Sequence, residues 1–258
     1  MRRLIINADD FGFTRDVNAG IVEAHRSGVL TSTTLMANGA AFEDAVQLAR
    51  ETPTLDVGCH LVLVQGRSLA TGVLLPRGPR QLLWKLAQRG IDVYSELRLQ
   101  IEKLRAAGIL PTHLDTHKHT HLVPHVFRIV VRLAREFAIP YVRLPLDRTL
   151  GIPAPIERFY RRMAEREGVH LTDHFLGFRL TGTFREESFR AAIEGLPEGT
   201  TEFMCHPGKL GPELERAETR LKESRVRELE ALTSPRIREL IAARQIELTG
   251  FETQSGHS

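Results

Sequence analysis

Four short segments of this 258-residue chain gather the side chains that bind metals and move protons. Asp9 and Asp10 close the opening run RLIINADD, His60 sits in GCHLVL, and His206 in CHPG. Between them HLDTHKHTH sets His113, Asp115, His117, His119 and His121 at every second position. Carboxylate and imidazole donors suit zinc or another divalent ion, and a site with few protein ligands keeps room for water and substrate. A carboxylate beside such an ion can take a proton, and an imidazole can return one. Taken singly, each piece has a blander explanation. DDFG is good turn and cap chemistry, and a lone histidine in VGCHLVL is ordinarily a satisfied core residue. The alternating cluster is different. While a strand lasts, its members share one face, and four histidines with an aspartate on one face are hard to explain as packing. One or two of them are expected to ligate and the rest to fix ring tautomers or touch substrate. His206, held by Pro207, gains weight as a proton donor only if it faces such a site.

The elements that must position these residues alternate. Residues 3–8 read as a strand that ends at the two aspartates, 16–28 as a helix stopped by Gly28, 29–37 as a strand, 40–51 as a helix and 55–63 as a strand. Residues 64–80 are rich in Gly and Pro and long for an ordinary connection, which suggests a functional loop over the site. Helices at 80–89 and 92–107, a strand at 111–117, a helix at 124–136 and a strand at 139–145 follow. Residues 146–170 combine a Pro-rich turn with a basic helix. A strand over 174–180, a helix, the strand 200–208, Arg/Glu-rich helices and a final short strand complete the chain, with TQSGHS as a frayed tail. Strand–helix alternation predicts βα units on a parallel sheet. The expected fold is α/β, a single domain over residues 1–258 built as a TIM-like (β/α) barrel, irregular or seven-stranded. The first strand lacks the GxGxxG turn of a dinucleotide fold. In a barrel the segments that end at Asp10, follow His60, and close at His117 and His206 would converge on one rim.

Composition narrows the class. Hydrophobic residues make up 42% and charged residues 26%, enough for a full core and a soluble surface. The net charge of +3 is small and its cations are interleaved with acids, as in RVRELEAL, so solvated helix faces are expected rather than a nucleic-acid surface. The two cysteines, Cys59 and Cys205, form no CxxC pair and no disulfide framework; buried strand thiols are expected. No signal peptide or transmembrane run is read in the sequence, so a cytoplasmic location is expected. Homodimerisation stays open, with no residue pointing to it.

The ordered combination NADDFG, STTLMANG, GCHLVL, THLDTHKHTH and MCHPG resembles the YdjC-like carbohydrate deacetylases. That family includes chitooligosaccharide deacetylases and a branch associated with hopanoid lipid biosynthesis. The resemblance runs from about residue 3 to 208. It implies a TIM-like barrel, one divalent metal ion (Mg2+ or Zn2+), and removal of N-acetyl groups from an amino sugar in an oligosaccharide or glycolipid. Matched residue by residue, it implies Asp10, His60 and His117 as metal ligands and Asp9 as catalytic base, with His206 near the site and assigned, protonated, as the acid. Asp115, His119, His121 and Arg143 are assigned to substrate or to holding the ligands. The chain departs from the commoner DSHHHVH pattern at Thr116, Lys118 and Thr120 but keeps His117. DTHKHTH and INADDFGFTRDVNAGI are closest to the hopanoid-associated branch, which implies an N-acetylhexosamine on a lipid carrier. The rivals are a metal-dependent phosphoesterase or other amidohydrolase on a similar barrel, a non-catalytic sugar-binding barrel, and a metal-storage or sensing protein.

Overall fold

In a parallel sheet each strand must be carried back by a crossover, and amphipathic helices supply it here. The computed structural model describes residues 1–146 and 151–251, so the tail TQSGHS and part of the Pro-rich turn lie outside the described residues. Among the described residues eight strands are formed: β1 (Arg2–Phe11), β2 (Ser32–Leu35), β3 (Asp56–Leu61), β4 (His113–Thr116), β5 (Tyr141–Val142), β6 (His174–Leu176), β7 (Gly199–Cys205) and β8 (Glu247–Leu248). Every pairing is parallel, in the order β5-β4-β3-β2-β1-β7-β6, with β8 added to the start of β1. The result is an α/β fold with a curled seven-strand half-barrel. Across the seam, among the described residues, β5 meets the chain before β6 only at the Tyr141–His170 bridge, so the hydrogen-bond ladder does not draw a closed barrel.

Side-chain alternation explains which face does what. On β1, Leu4, Ile6 and Ala8 join the apolar layer under the helices, while Asn7 and Asp9 point the other way. On β3, Val57, Cys59 and Leu61 face the helices and His60 faces inward; on β4 Leu114 faces out, His113 and Asp115 in. The helix Pro124–Glu136 shows the matching stripe, burying Val126, Phe127, Val130, Val131 and Ala134 at helical spacing. Residues of the neighbouring strands β1 and β7 and of β4, three strands from β1, reach a single guanidinium, which places it on the concave side of a strongly curled sheet. That interior is polar, and Phe251, just after β8, stacks on His113 with ring centroids 3.8 Å apart.

Two local features differ from the sequence reading. The first strand does not end at the aspartates; β1 runs through both to Phe11, with an irregularity in its pairing to β2 between Ala8 and Phe11. The long 64–80 segment is not a bare loop. Residues 65–76 double back as a hairpin, Arg67 bridging Leu74, and a helix begins at Pro79 (Pro79–Ala87).

The first helix, Arg15–Arg26, lies so close to the turn after β7 that an ideal Cβ on Gly20 would sit 2.4 Å from the Cα of Gly208. That contact fixes the turn carrying His206. Gly20→Ala is therefore expected to lower stability by about 1–3 kcal/mol, as overpacking does. Gly78→Ala, with open space around it, should stay within about 0.5 kcal/mol. Urea midpoints compare the two, and equal values would remove the close-packing argument.

Candidate metal centre and active site

Adjacent residues of a regular strand point to opposite faces, so Asp9 and Asp10 could not both enter the interior of an undistorted β1. The backbone at Asp10 takes φ +71° where the pairing is irregular, and both carboxylates end up buried in the same site. A left-handed conformation is unusual for a residue with a side chain and marks strain held by its surroundings. Here Arg225 does the holding, donating Nη2–H to Asp10 Oδ2 at 2.5 Å.

The other oxygen, Oδ1, is buried and has no hydrogen-bond partner. It lies 3.4 Å from His60 Nε2 and 3.1 Å from His117 Nδ1, and those nitrogens are 3.3 Å apart. Donors ~2.0–2.2 Å from one ion sit roughly 3–3.4 Å from each other, so the triangle has the edge lengths of a ligand set. The tautomers agree. His60 Nδ1 is 2.7 Å from Asp115 Oδ1 and 3.1 Å from Thr34 Oγ1, and His117 Nε2 is 3.0 Å from Gln65 Oε1. A ring that donates N–H to those acceptors turns its remaining lone pair toward Oδ1. The chemistry of this donor set fits a divalent cation. A second group, Asp9, His60 and Asp115, is also close enough, but its carboxylates are already engaged by Arg143 and Thr34.

Electrostatics show how strongly the spot favours positive charge. Burial would push Asp10 up, but Arg225 and the two imidazoles hold its carboxyl well below the usual range. Burial would push His60 down, yet the charge and hydrogen bond of Asp115, with the nearby Asp10 and Asp9, raise it to about 10. A cation and the His60 proton thus compete for one lone pair.

Beside this triangle, Asp9 is clamped by Arg143 through Nη1 at 2.8 Å and Nη2 at 2.7 Å, and Asn7 Nδ2 donates at 3.2 Å. Arg143 is wholly buried, and also meets Glu202 Oε1 through Nε at 2.6 Å and Asp115 Oδ2 through Nη1 at 2.6 Å. Burial raises Asp9, but Arg143 and neighbouring His60 and His206 bring it far below the ordinary carboxylate range. Glu202 goes the other way: burial outweighs Arg143 and lifts it to about 7. His206 points Nε2 at Asp9 Oδ2 from 3.9 Å, and its backbone N–H donates to Glu228 at 2.5 Å. Burial brings His206 down to about 4 despite the nearby aspartates. Burial thus disfavours the protonated ring that the acid role expected for His206 requires.

The alternating cluster does not stay on one face. After β4 the chain enters a 3-10 turn, His117–Leu122, with Lys118 and His119 at φ near +50°. His113 bonds Asn7 Oδ1 at 3.0 Å deep in the interior. His121 is buried between Thr116 Oγ1 at 2.5 Å and the Arg143 carbonyl at 3.0 Å. His119 packs against Phe178, ring centroids 5.1 Å apart, and lines the cavity. Cys59 and Cys205 are free buried thiols pushed up by burial, outside both donor groups.

Sequence reasoning missed Arg225, Glu202, Gln65 and Glu228. Glu202 had a signal, a single acid inside the strand TTEFMC. Arg225 had none, because RVRELEAL reads as a solvated face. Asp9, Asp10, His117 and His206, with Phe13 and Phe178, line a cavity of about 470 Å³, a size that suits a small-molecule site.

The family described as YdjC-like protein matches residues 3–243. A carbohydrate deacetylase of Brevibacillus brevis is 37% identical, with 96% of this chain and 98% of the relative covered. One of Clostridium beijerinckii is 35% identical, covering 97% and 99%. Among solved structures, an Enterococcus faecalis protein to which cellobiose-phosphate cleavage has been ascribed superposes with TM-score 0.83 at 27% identity, covering 98% of both chains. A lactam utilization protein of Thermus thermophilus shares the fold at TM-score 0.56 and 15% identity, covering 96% and 99%.

Removing the buried guanidinium gives a pH-dependent test. Arg143→Met should cost about 3–5 kcal/mol at pH 8, since it leaves buried carboxylates uncompensated. Without Arg143, the Asp9 and Glu202 carboxyls hold protons more tightly than in the unfolded chain, so stability returns as pH falls toward 5.5. In the parent, Asp9 is held below its unfolded value, so its contribution is present above about pH 4 and lost below. Denaturant midpoints at both pH values check this; a loss of equal size at each would sink the electrostatic account.

Proposed function

The chain belongs to the YdjC-like protein family, and from that premise we propose that it is a metal-dependent carbohydrate deacetylase acting on an N-acetylated amino sugar, in an oligosaccharide or a glycolipid. The observation that carries this reading is a triangle of donor atoms, Asp10 Oδ1, His60 Nε2 and His117 Nδ1, within 3.4 Å of one another at the wall of a cavity that Asp9 and His206 also line. The curated relatives named carbohydrate deacetylase span essentially the whole chain.

Asp10, His60 and His117 would hold the ion. A divalent cation there supplies Lewis acidity toward water and toward an amide carbonyl. That acidity matters because Asp9, held low by Arg143, is a weak base on its own. Asp9 takes one proton from the water that attacks the acetamide carbon. Having a lower pKa than His206, Asp9 surrenders that proton readily, and His206 Nε2 is 3.9 Å from its Oδ2. The imidazolium so formed protonates the departing sugar nitrogen as the C–N bond breaks. Acetic acid and the free amine result, and the acid's proton passes to the amine or to solvent as acetate leaves. Arg143 keeps Asp9 in place, while Asp115 and Gln65 fix the two imidazoles. Phe13 and Phe178 give the cavity the apolar faces on which a sugar ring packs.

The test is acetate release from N-acetylated chito-oligosaccharides and N-acetylhexosaminyl lipids, with chelator-stripped protein reloaded with zinc or magnesium. Activity should vanish on stripping and return on reloading. Asp9→Asn should lower turnover by about 10²–10⁴ with metal content unchanged, and His60→Ala should lose the metal itself. Full activity in stripped protein would exclude the metal, and full activity in Asp9→Asn would exclude that base.

A further inference from the structure

The stretch between His60 and Asp92 contains no Asp or Glu, yet it holds Arg67, Arg77, Arg80, Lys85 and Arg89. Among the described residues, none of these five cations forms an ion pair. The same stretch exposes large apolar side chains: Val73 (61%), Leu74 (73%), Leu83 (51%) and Trp84 (57%). A run that is both apolar and exclusively basic at its surface is unusual in a chain that elsewhere interleaves its charges.

The apolar tip is a built feature. The buried Glu96 carboxylate accepts from Ser68 Oγ at 2.5 Å and from the backbone N–H groups of Leu69 and Ala70 at 3.1 and 3.0 Å, and Gln100 braces it at 2.7 Å. Backbone bonds Ser68–Val73 and Gly66–Leu75 close the hairpin. Beneath it Leu75 packs with Met36 and Val62 against Phe13, which lines the catalytic cavity, and Gln65 at its base bonds His117. The helix Pro79–Ala87 follows after two residues and is anchored by buried Leu82, leaving Leu83, Trp84 and Arg80 outward. The hairpin is thus held firmly at the mouth of the site with its apolar residues in water.

We propose that the hairpin 65–76 and the helix Pro79–Ala87 form a docking surface for an anionic phospholipid bilayer. The apolar side chains enter the headgroup boundary, where tryptophan is favoured, and the five cations meet lipid phosphates. Charge complementarity selects this occupant: a segment with no acid of its own and five cations outside any ion pair among the described residues attracts a polyanionic plane. No helix among the described residues is long and apolar enough to cross a membrane, so the contact is peripheral. Resting on the deacetylase reading, the arrangement brings the cavity to an amino sugar displayed on a lipid.

Trp84 is the only tryptophan of the chain, so its fluorescence reports this surface directly. The full chain is titrated with phosphatidylglycerol vesicles and, separately, with phosphatidylcholine vesicles, and pelleted with each. The expected result is a blue shift and co-sedimentation with the anionic vesicles alone, weakened by salt. Leu83→Asp, and the pair Arg80→Glu with Arg89→Glu, should each reduce partitioning at least about tenfold while leaving acetate release from a soluble oligosaccharide unchanged. Absence of a shift with anionic vesicles overturns the proposal. A blue shift that grows with protein concentration without lipid also overturns it, because a second copy then covers the patch. Vesicle binding without acetate release from any sugar would sustain the docking surface and defeat the deacetylase reading, so the two fail separately.

Discussion

One buried guanidinium organises the interior of this protein. Arg143 reaches Asp9 on β1, Asp115 on β4 and Glu202 on β7, three strands that the curled sheet brings around one point. A charge removed from water is tolerated only when paired and hydrogen-bonded, and each partner would be costly alone. The cluster is mutually dependent for that reason. It also transmits: Asp115 accepts from His60, so the group that anchors Asp9 also orients a ring of the donor triangle. The candidate base and a candidate ligand are thereby held in register by one side chain that does not line the cavity.

Backbone distortion completes what the ion cluster begins. The irregularity at Asp10 turns a second carboxylate into the interior, and the left-handed pair Lys118–His119 ends the alternation just after His117. Such conformations persist where surrounding contacts over-determine them. Around Asp10 those contacts are the Arg225 bond and the facing imidazoles. In the turn, His121 is locked between Thr116 and the Arg143 carbonyl. Both distortions lie at the carboxyl ends of strands, where parallel βα folds place their sites.

The sequence showed the α/β class because apolar and polar residues alternate at strand spacing and then switch to helical spacing. It showed the convergence of the two aspartates, His60, Asp115, His117 and His206 because strand ends of one parallel sheet share a rim, while singling out Asp10, His60 and His117 came from the family resemblance. The fate of His119 and His121 was hidden, since strict alternation holds only while the strand lasts and β4 stops at Thr116. The hairpin at 65–76 was hidden as well: its brace is Glu96, a carboxylate from a separate helix. Arg225 was the least legible, because a buried arginine inside a charged helix carries the same local pattern as an exposed one. What is set by local periodicity could be read, and what is set by a single long-range ion pair could not.

Charge balance explains how this interior could hold a cation. Asp9, Asp10, Asp115 and Glu202 are all buried, and the two guanidiniums paired with them are Arg143 and Arg225. Glu202, lifted to about 7, can relieve part of the excess by holding a proton. The rest falls on His60, raised to about 10 by the same surplus of negative charge. A low-dielectric pocket that retains an imidazole proton so firmly is a pocket short of positive charge. The shortage is focused where Asp10 Oδ1 has no hydrogen-bond partner and two lone pairs face it. His206 lies farther from that focus, and burial there prevails, leaving it near 4. Burial opposes the charge on both rings, and only His60, hydrogen-bonded to Asp115, is raised against it. That asymmetry supports the proposal in which the first holds a cation and the second receives and passes on a proton.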